Sequence, residues 1–234
     1  MDLFLSDYEN NIRSFQVSNL INSKTAFWLG ISGILGGLIL FAGDMLFYYN
    51  GDETDYMVNL ANSSDQRIIA SGVTALLAAW LYTLASGQIY YAFQPAKKWI
   101  RLSVFFSLAA IMITYGVVHG AFVAIAVAAK NAAQLGMPAN SMVELAIAAN
   151  DALRNIAYLP FAIFIVLFIP TVWKGHTHFP RWIILFCPIV PYLFQGIIVP
   201  MLTGKWVIII GGGYLNLILV LFFSATTIAL RSSK

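Results

Sequence analysis

The sequence predicts an all-α fold: a polytopic integral membrane helical bundle with six transmembrane helices and both termini cytoplasmic. Composition comes first. Hydrophobic residues make up 60% of the 234 residues and charged residues 10%, whereas a soluble domain is roughly 45–50% apolar and about 25% charged. A soluble protein of this length needs polar cover for its surface, and lipid removes that need. The apolar residues also fall in runs of spanning length, and the basic residues gather in the connections between them.

A spanning helix takes about 20 apolar residues, because roughly 30 Å of hydrocarbon is crossed at about 1.5 Å per residue. Six segments meet that test: residues 25–49, 68–93, 102–128, 156–173, 182–202 and 206–230. The first 24 residues precede them. Their Asp2, Asp7 and Glu9 do not fit the basic start of a secretory signal. Leu5, Tyr8, Ile12 and Phe15 recur at three- and four-residue steps, which predicts a cytoplasmic amphipathic helix lying on the membrane surface. Residues 231–234 form a short tail.

Orientation follows the distribution of Lys and Arg. With the N-terminus cytoplasmic, nine of the 13 basic residues fall inside: Arg13, Lys24, Lys97, Lys98, Arg101, Lys174, Arg181, Arg231 and Lys234. Arg67, Lys130, Arg154 and Lys205 fall outside. Trp99, Trp173 and Trp182 mark the inner boundary and Trp206 the outer one, as an aromatic belt requires. Between the third and fourth spans, residues 129–155 predict an outer helical hairpin. The third helix runs on to about Leu135, Gly136 and Pro138 stop it, and Ser141 with Glu144 reads as a capping box that opens the next helix. The tip falls at residues 137–140.

Ionisable side chains inside lipid require a reason. Two stand well within the spans. Asp44 is about 18 residues into the first helix and His119 about 17 into the third, both counted from the cytoplasm, so each lies roughly 25–27 Å up, in the outer third of the bilayer. Equal depth allows contact. A carboxylate beside an imidazole can orient a general base or relay a proton, and it can equally lock two helices together. Tyr115 lies one turn from His119 on the same face. These three, His119, Asp44 and Tyr115, are the candidate catalytic group. Gln195, Tyr214 and Asn216 come from the last two spans at a similar level and are the candidate ligand contacts. Pro188, Pro191 and Pro200 interrupt the fifth span and Gly211, Gly212 and Gly213 the sixth, and interrupted helices often line cavities. Gly33 and Gly37 form a G-x-x-x-G in the first helix, readable as a close internal contact or as the face of a homodimer.

Several classes are excluded. The single cysteine, Cys187, permits neither an internal disulfide nor a multi-thiolate metal site. His176 and His178 lie about 25 Å from His119 by helix rise, too far to share a metal. No lysine stands inside a span to carry a Schiff base, and no basic stripe suits nucleic acid. The prediction calls for no metal and no cofactor, with membrane lipids as partners. The function predicted is an outer-leaflet-side polar pocket that binds or transforms an apolar small molecule or lipid, by acid–base chemistry if it transforms one. A small proton-coupled transporter and a non-catalytic scaffold or partner subunit are the alternatives. Nothing directs the chain to an organelle, so a bacterial inner membrane is the expected location.

Overall fold

A computed structural model describes residues 21–51 and 53–232, so the amphipathic helix expected over residues 1–24 lies almost entirely outside the described residues. Every regular element within them is helical. Helix α1, Ser23–Tyr48, starts where the Asn22 side chain accepts the Thr25 N–H at 2.9 Å. A short helix α2, Tyr56–Asn62, follows, with Asp55 accepting from the Met57 and Val58 N–H groups. Helices α3, Asp65–Ala92, and α4, Lys98–Gln134, are long and apolar. At 37 residues, α4 is about 55 Å long, several turns more than a bilayer's hydrocarbon. Gly136, at φ +71, turns the chain back into α5, Glu144–Ile156, and α6, Tyr158–Trp173.

The step between α5 and α6 has a local cause. Pro160 has no N–H to offer the Ile156 carbonyl, and Ala157 bonds three residues back to Arg154 instead of four. The pair still makes one apolar stretch, Glu144–Trp173. The capping box is not formed. Helix α5 begins at Glu144 behind Val143, and the Ser141 hydroxyl donates to the Pro138 carbonyl at 2.8 Å. Val143 is drawn into the core under α2, which sets the helix start two residues later than Ser141 would.

Five helices are long and apolar enough to cross a membrane: Ser23–Tyr48, Asp65–Ala92, Lys98–Gln134, Glu144–Trp173 and Val207–Arg231. The difference from six lies at residues 182–202. That segment folds as a 3₁₀ turn, Arg181–Phe186, then α7, Ile189–Leu193, α8, Gln195–Ile198, and a second 3₁₀ turn, Val199–Met201. Proline explains the breaks. Pro188 withholds a donor from the Ile184 carbonyl and Pro191 from the Cys187 carbonyl. Those carbonyls are met instead by residues only three ahead, Cys187 at 3.1 Å and Val190 at 2.8 Å. The last span opens with a π-helical stretch, Val207–Gly212, and continues as α9, Gly213–Ser232.

The main core lies where α1, α3, α4, α6 and α9 meet. Tyr82, Phe93, Phe164, Phe168, Phe222 and Phe223 are its largest fully buried members. A smaller cluster around Phe47, Leu60, Ile125 and Val143 seats α2 against α4 at the hairpin end. The glycines of α1 face inward. A Cβ on Gly33 would stand 2.4 Å from the Phe223 ring, and one on Gly37 would stand 2.5 Å from Val220. Of the two readings of the G-x-x-x-G, the structure shows the internal contact, with α9 packed into the groove. Gly33→Val should therefore lower stability by about 1–3 kcal/mol through overpacking. Gly120→Ala, where nothing lies within 4 Å, should be near neutral. Thermal unfolding in mild detergent measures both, and equal melting temperatures would refute the packing argument.

Candidate functional site

Three helices bring their polar residues to one point. Asp44, in the last turns of α1, is 3% exposed. Its Oδ2 accepts from Asn216 Nδ2 of α9 at 2.6 Å and lies 3.5 Å from His119 Nε2 of α4. His119 Nδ1 lies 2.9 Å from the Tyr115 carbonyl, one turn back on its own helix. A carbonyl only accepts, so Nδ1 must carry hydrogen. Nε2 then faces a carboxylate oxygen, and one proton has to lie between them for the contact to be favourable. The pair is thus an imidazolium beside a carboxylate, or the neutral forms of both. Either way its net charge is zero, which suits its burial.

The pair stands at the rim of a cavity of about 360 Å³. Asp44, Tyr115, His119, Gln195 and Asn216 all line it. The Tyr115 hydroxyl and Asn216 Oδ1 are buried there with no hydrogen-bond partner among the described residues, so the rim keeps donor and acceptor capacity that the chain does not use. Deeper in, the wall is apolar: Leu108, Met112, Phe164 and Leu219. From His119 to Leu108 is 11 residues of α4, or about 16 Å. The cavity is a polar-rimmed, apolar well.

The breakers flank the opening. Gly211 and Gly212, in the π-helical stretch, line the well, and a Cβ on Gly212 would stand 3.0 Å from the Tyr48 ring. Pro188, Tyr192 and Gln195 of the broken segment form another wall. No residue of α7, α8 or the 3₁₀ turn after them is buried. A second chamber of about 520 Å³ lies against the first, toward the hairpin, and the two share Tyr48, Phe122, Arg154, Gly211 and Gly212.

The family described as "Family of unknown function (DUF6796)" matches residues 21–233. The chain belongs to that family. No curated protein and no solved structure matches it. The DUF6796 chain is thus a membrane-type all-helical protein of a family whose function is not defined, and its site has to be read from its own residues.

Tyr214 is the one sequence-derived site residue not among those lining the well. Its hydroxyl donates to the Pro191 carbonyl at 3.0 Å, pinning the broken segment to α9. Gln88, deeper in the bundle, is satisfied by Thr226 and Thr227 at 2.9 Å each. Arg154, Tyr48 and Tyr192 line the well and were not singled out in the sequence. His178 lies against Tyr91 with ring centroids 5.4 Å apart, and partial burial pulls its pKa below the usual imidazole value. Among the described residues no group of His, Cys, Asp and Glu is arranged to hold a metal.

The Asp44–His119 contact makes a thermodynamic prediction. His119→Leu strands a buried carboxylate and should destabilise the protein by about 3–5 kcal/mol. Adding Asp44→Leu should recover part of that loss, because the unpaired charge goes with it. Thermal unfolding of the two single variants and the double variant gives the coupling. Strict additivity would mean the two side chains do not interact.

Proposed function

We propose that this DUF6796 chain is a multi-pass membrane protein whose well, on the outer-leaflet side, binds an apolar small molecule or a lipid. One observation carries the reading: polar groups from α1, α4 and α9 gather at the mouth of a cavity whose depth is apolar. Its volume falls in the range of small-molecule sites, roughly 300–1,000 Å³. That no residue of α7 or α8 is buried supports entry from the lipid side, where an apolar ligand would already be dissolved. The outward orientation rests on the basic residues of the connections.

His119 has both ring nitrogens engaged, so the resting geometry favours recognition over general-base chemistry. Turnover would require a ligand that draws Nε2 away from Asp44. Mass spectrometry of small molecules extracted from wild-type and His119→Ala protein, each purified from native membranes, tests the proposal. A defined apolar compound should be enriched on the wild type and be lost, or chemically altered, on the variant. Bulk phospholipid alone, identical on both, would overturn the ligand-binding reading.

A further inference from the structure

Four basic side chains stand at the hairpin end of the described bundle, and the chain uses three of them itself. The Arg67 guanidinium donates to the carbonyls of Met45, Leu46 and Tyr49, closing the C-terminal end of α1. Lys130 pairs with Asp65 and donates to the Ser63 carbonyl at 3.1 Å, tying α4 to the start of α3. The Lys205 ammonium lies 5.9 Å from the centre of the Trp206 ring. Arg154 is different. Its hydrogen bond goes to the uncharged Asn150 side-chain oxygen, at 3.2 Å and one turn back on the same helix. Among the described residues no carboxylate pairs with it.

Its position gives that charge a direction. Arg154 is on the shared wall of the two chambers, at the throat between the outer space and the well. The carboxylate nearest in chain, Asp151, lines only the outer chamber and makes no ion pair with it. The carboxylate of the well, Asp44, is already answered by His119 and Asn216. The well therefore presents one unanswered charge, and it is positive. It also presents a second donor, the buried Tyr115 hydroxyl with no partner. A guanidinium offers a planar fork that matches a carboxylate or a phosphate with two parallel hydrogen bonds.

We propose that the ligand of the well is an anionic amphiphile. Its carboxylate or phosphate head is received by Arg154 at the throat, and its apolar body lies along the shaft between His119 and Leu108. The inference rests on the ligand-binding reading above and adds the charge of the head, the residue that reads it and the direction of the tail.

The test uses the full chain in phosphatidylcholine nanodiscs, with empty nanodiscs as the background for partitioning. Radiolabelled decyl phosphate is the probe, and decanoate, methyl decanoate, decylamine and inorganic phosphate compete with it. Decyl phosphate and decanoate should bind the wild type about tenfold more tightly than methyl decanoate, a difference of about 1.4 kcal/mol. Arg154→Gln should abolish that preference and Arg154→Lys should keep part of it, at unchanged melting temperature.

Methyl decanoate competing as well as the acids, with no effect of Arg154→Gln, would overturn the anionic head while leaving the well intact. So would decylamine binding best and depending on Asp44. Inorganic phosphate displacing the probe as well as decanoate does would make this a free-anion site and overturn the amphiphile. No saturable binding of any probe above empty nanodiscs would overturn the ligand-binding reading together with the inference.

Discussion

The burial of one carboxylate constrains the whole hairpin end of this protein. A carboxylate in a lipid-facing bundle is tolerable only if its charge is answered and its oxygens are bonded. Asp44 meets that demand from two other helices at once, through His119 of α4 and Asn216 of α9. Each contact fixes an axial level, so α1, α4 and α9 cannot slide past one another without unpairing a buried charge. Further along the seam with α9, α1 is locked by steric fit, because Gly33 and Gly37 admit Phe223 and Val220 to distances a side chain would forbid. Polar register at one end and close packing along the seam specify the same alignment. Such agreement between independent terms narrows a chain to one arrangement.

The well exists because two helices next to that node are irregular. A straight helix over residues 182–202 would carry its apolar face against α6 and α9 and fill the space. Three prolines prevent it, leaving short turns of which none of α7, α8 or the final 3₁₀ turn buries a residue. The π-helical stretch adds to this, since Gly212 leaves the Tyr48 ring room against the backbone, as Gly213 at the start of α9 does for Phe41. Wide-turn segments of this kind recur at functional sites. Neither irregularity would survive facing lipid with its carbonyls unmet, and here the freed carbonyls are met by three-residue bonds and by Tyr214.

Depth was legible in the sequence and direction around the helix was not. Counting residues from the expected cytoplasmic boundary placed Asp44 and His119 at one level, and the structure has them 3.5 Å apart. The same counting brought Gln195 and Asn216 to the lining of the well but also Tyr214, which points to the broken segment instead. Two residues that neighbour in chain differ by about 100° around a helix, and composition does not say which faces the cavity. Arg154 was hidden for another reason: in sequence it reads as part of the polar face of the outer hairpin. Only the return of α5 alongside α4, held by the Asn150 amide on the Val118 carbonyl at 2.8 Å, brings it to the throat. The Ser141 cap was misread because a capping pattern is local, while Val143 is placed by the core.

The closed end of the well bears on which kind of activity the site can support. Carrying a proton or a polar solute across the bundle would need exchangeable groups below His119 on the way to the other end. Below the well the rings of Phe93, Phe164, Phe168 and Phe222 pack against one another, with centroids 5.0–6.4 Å apart. A buried polar group at that end of the bundle, Gln88, spends both ends of its amide on Thr226 and Thr227, in a space that Gly30 leaves open for it. A fully bonded amide is a structural clasp and a poor relay. This packing accords with the proposed reading of a site that holds a ligand and does not pass it through.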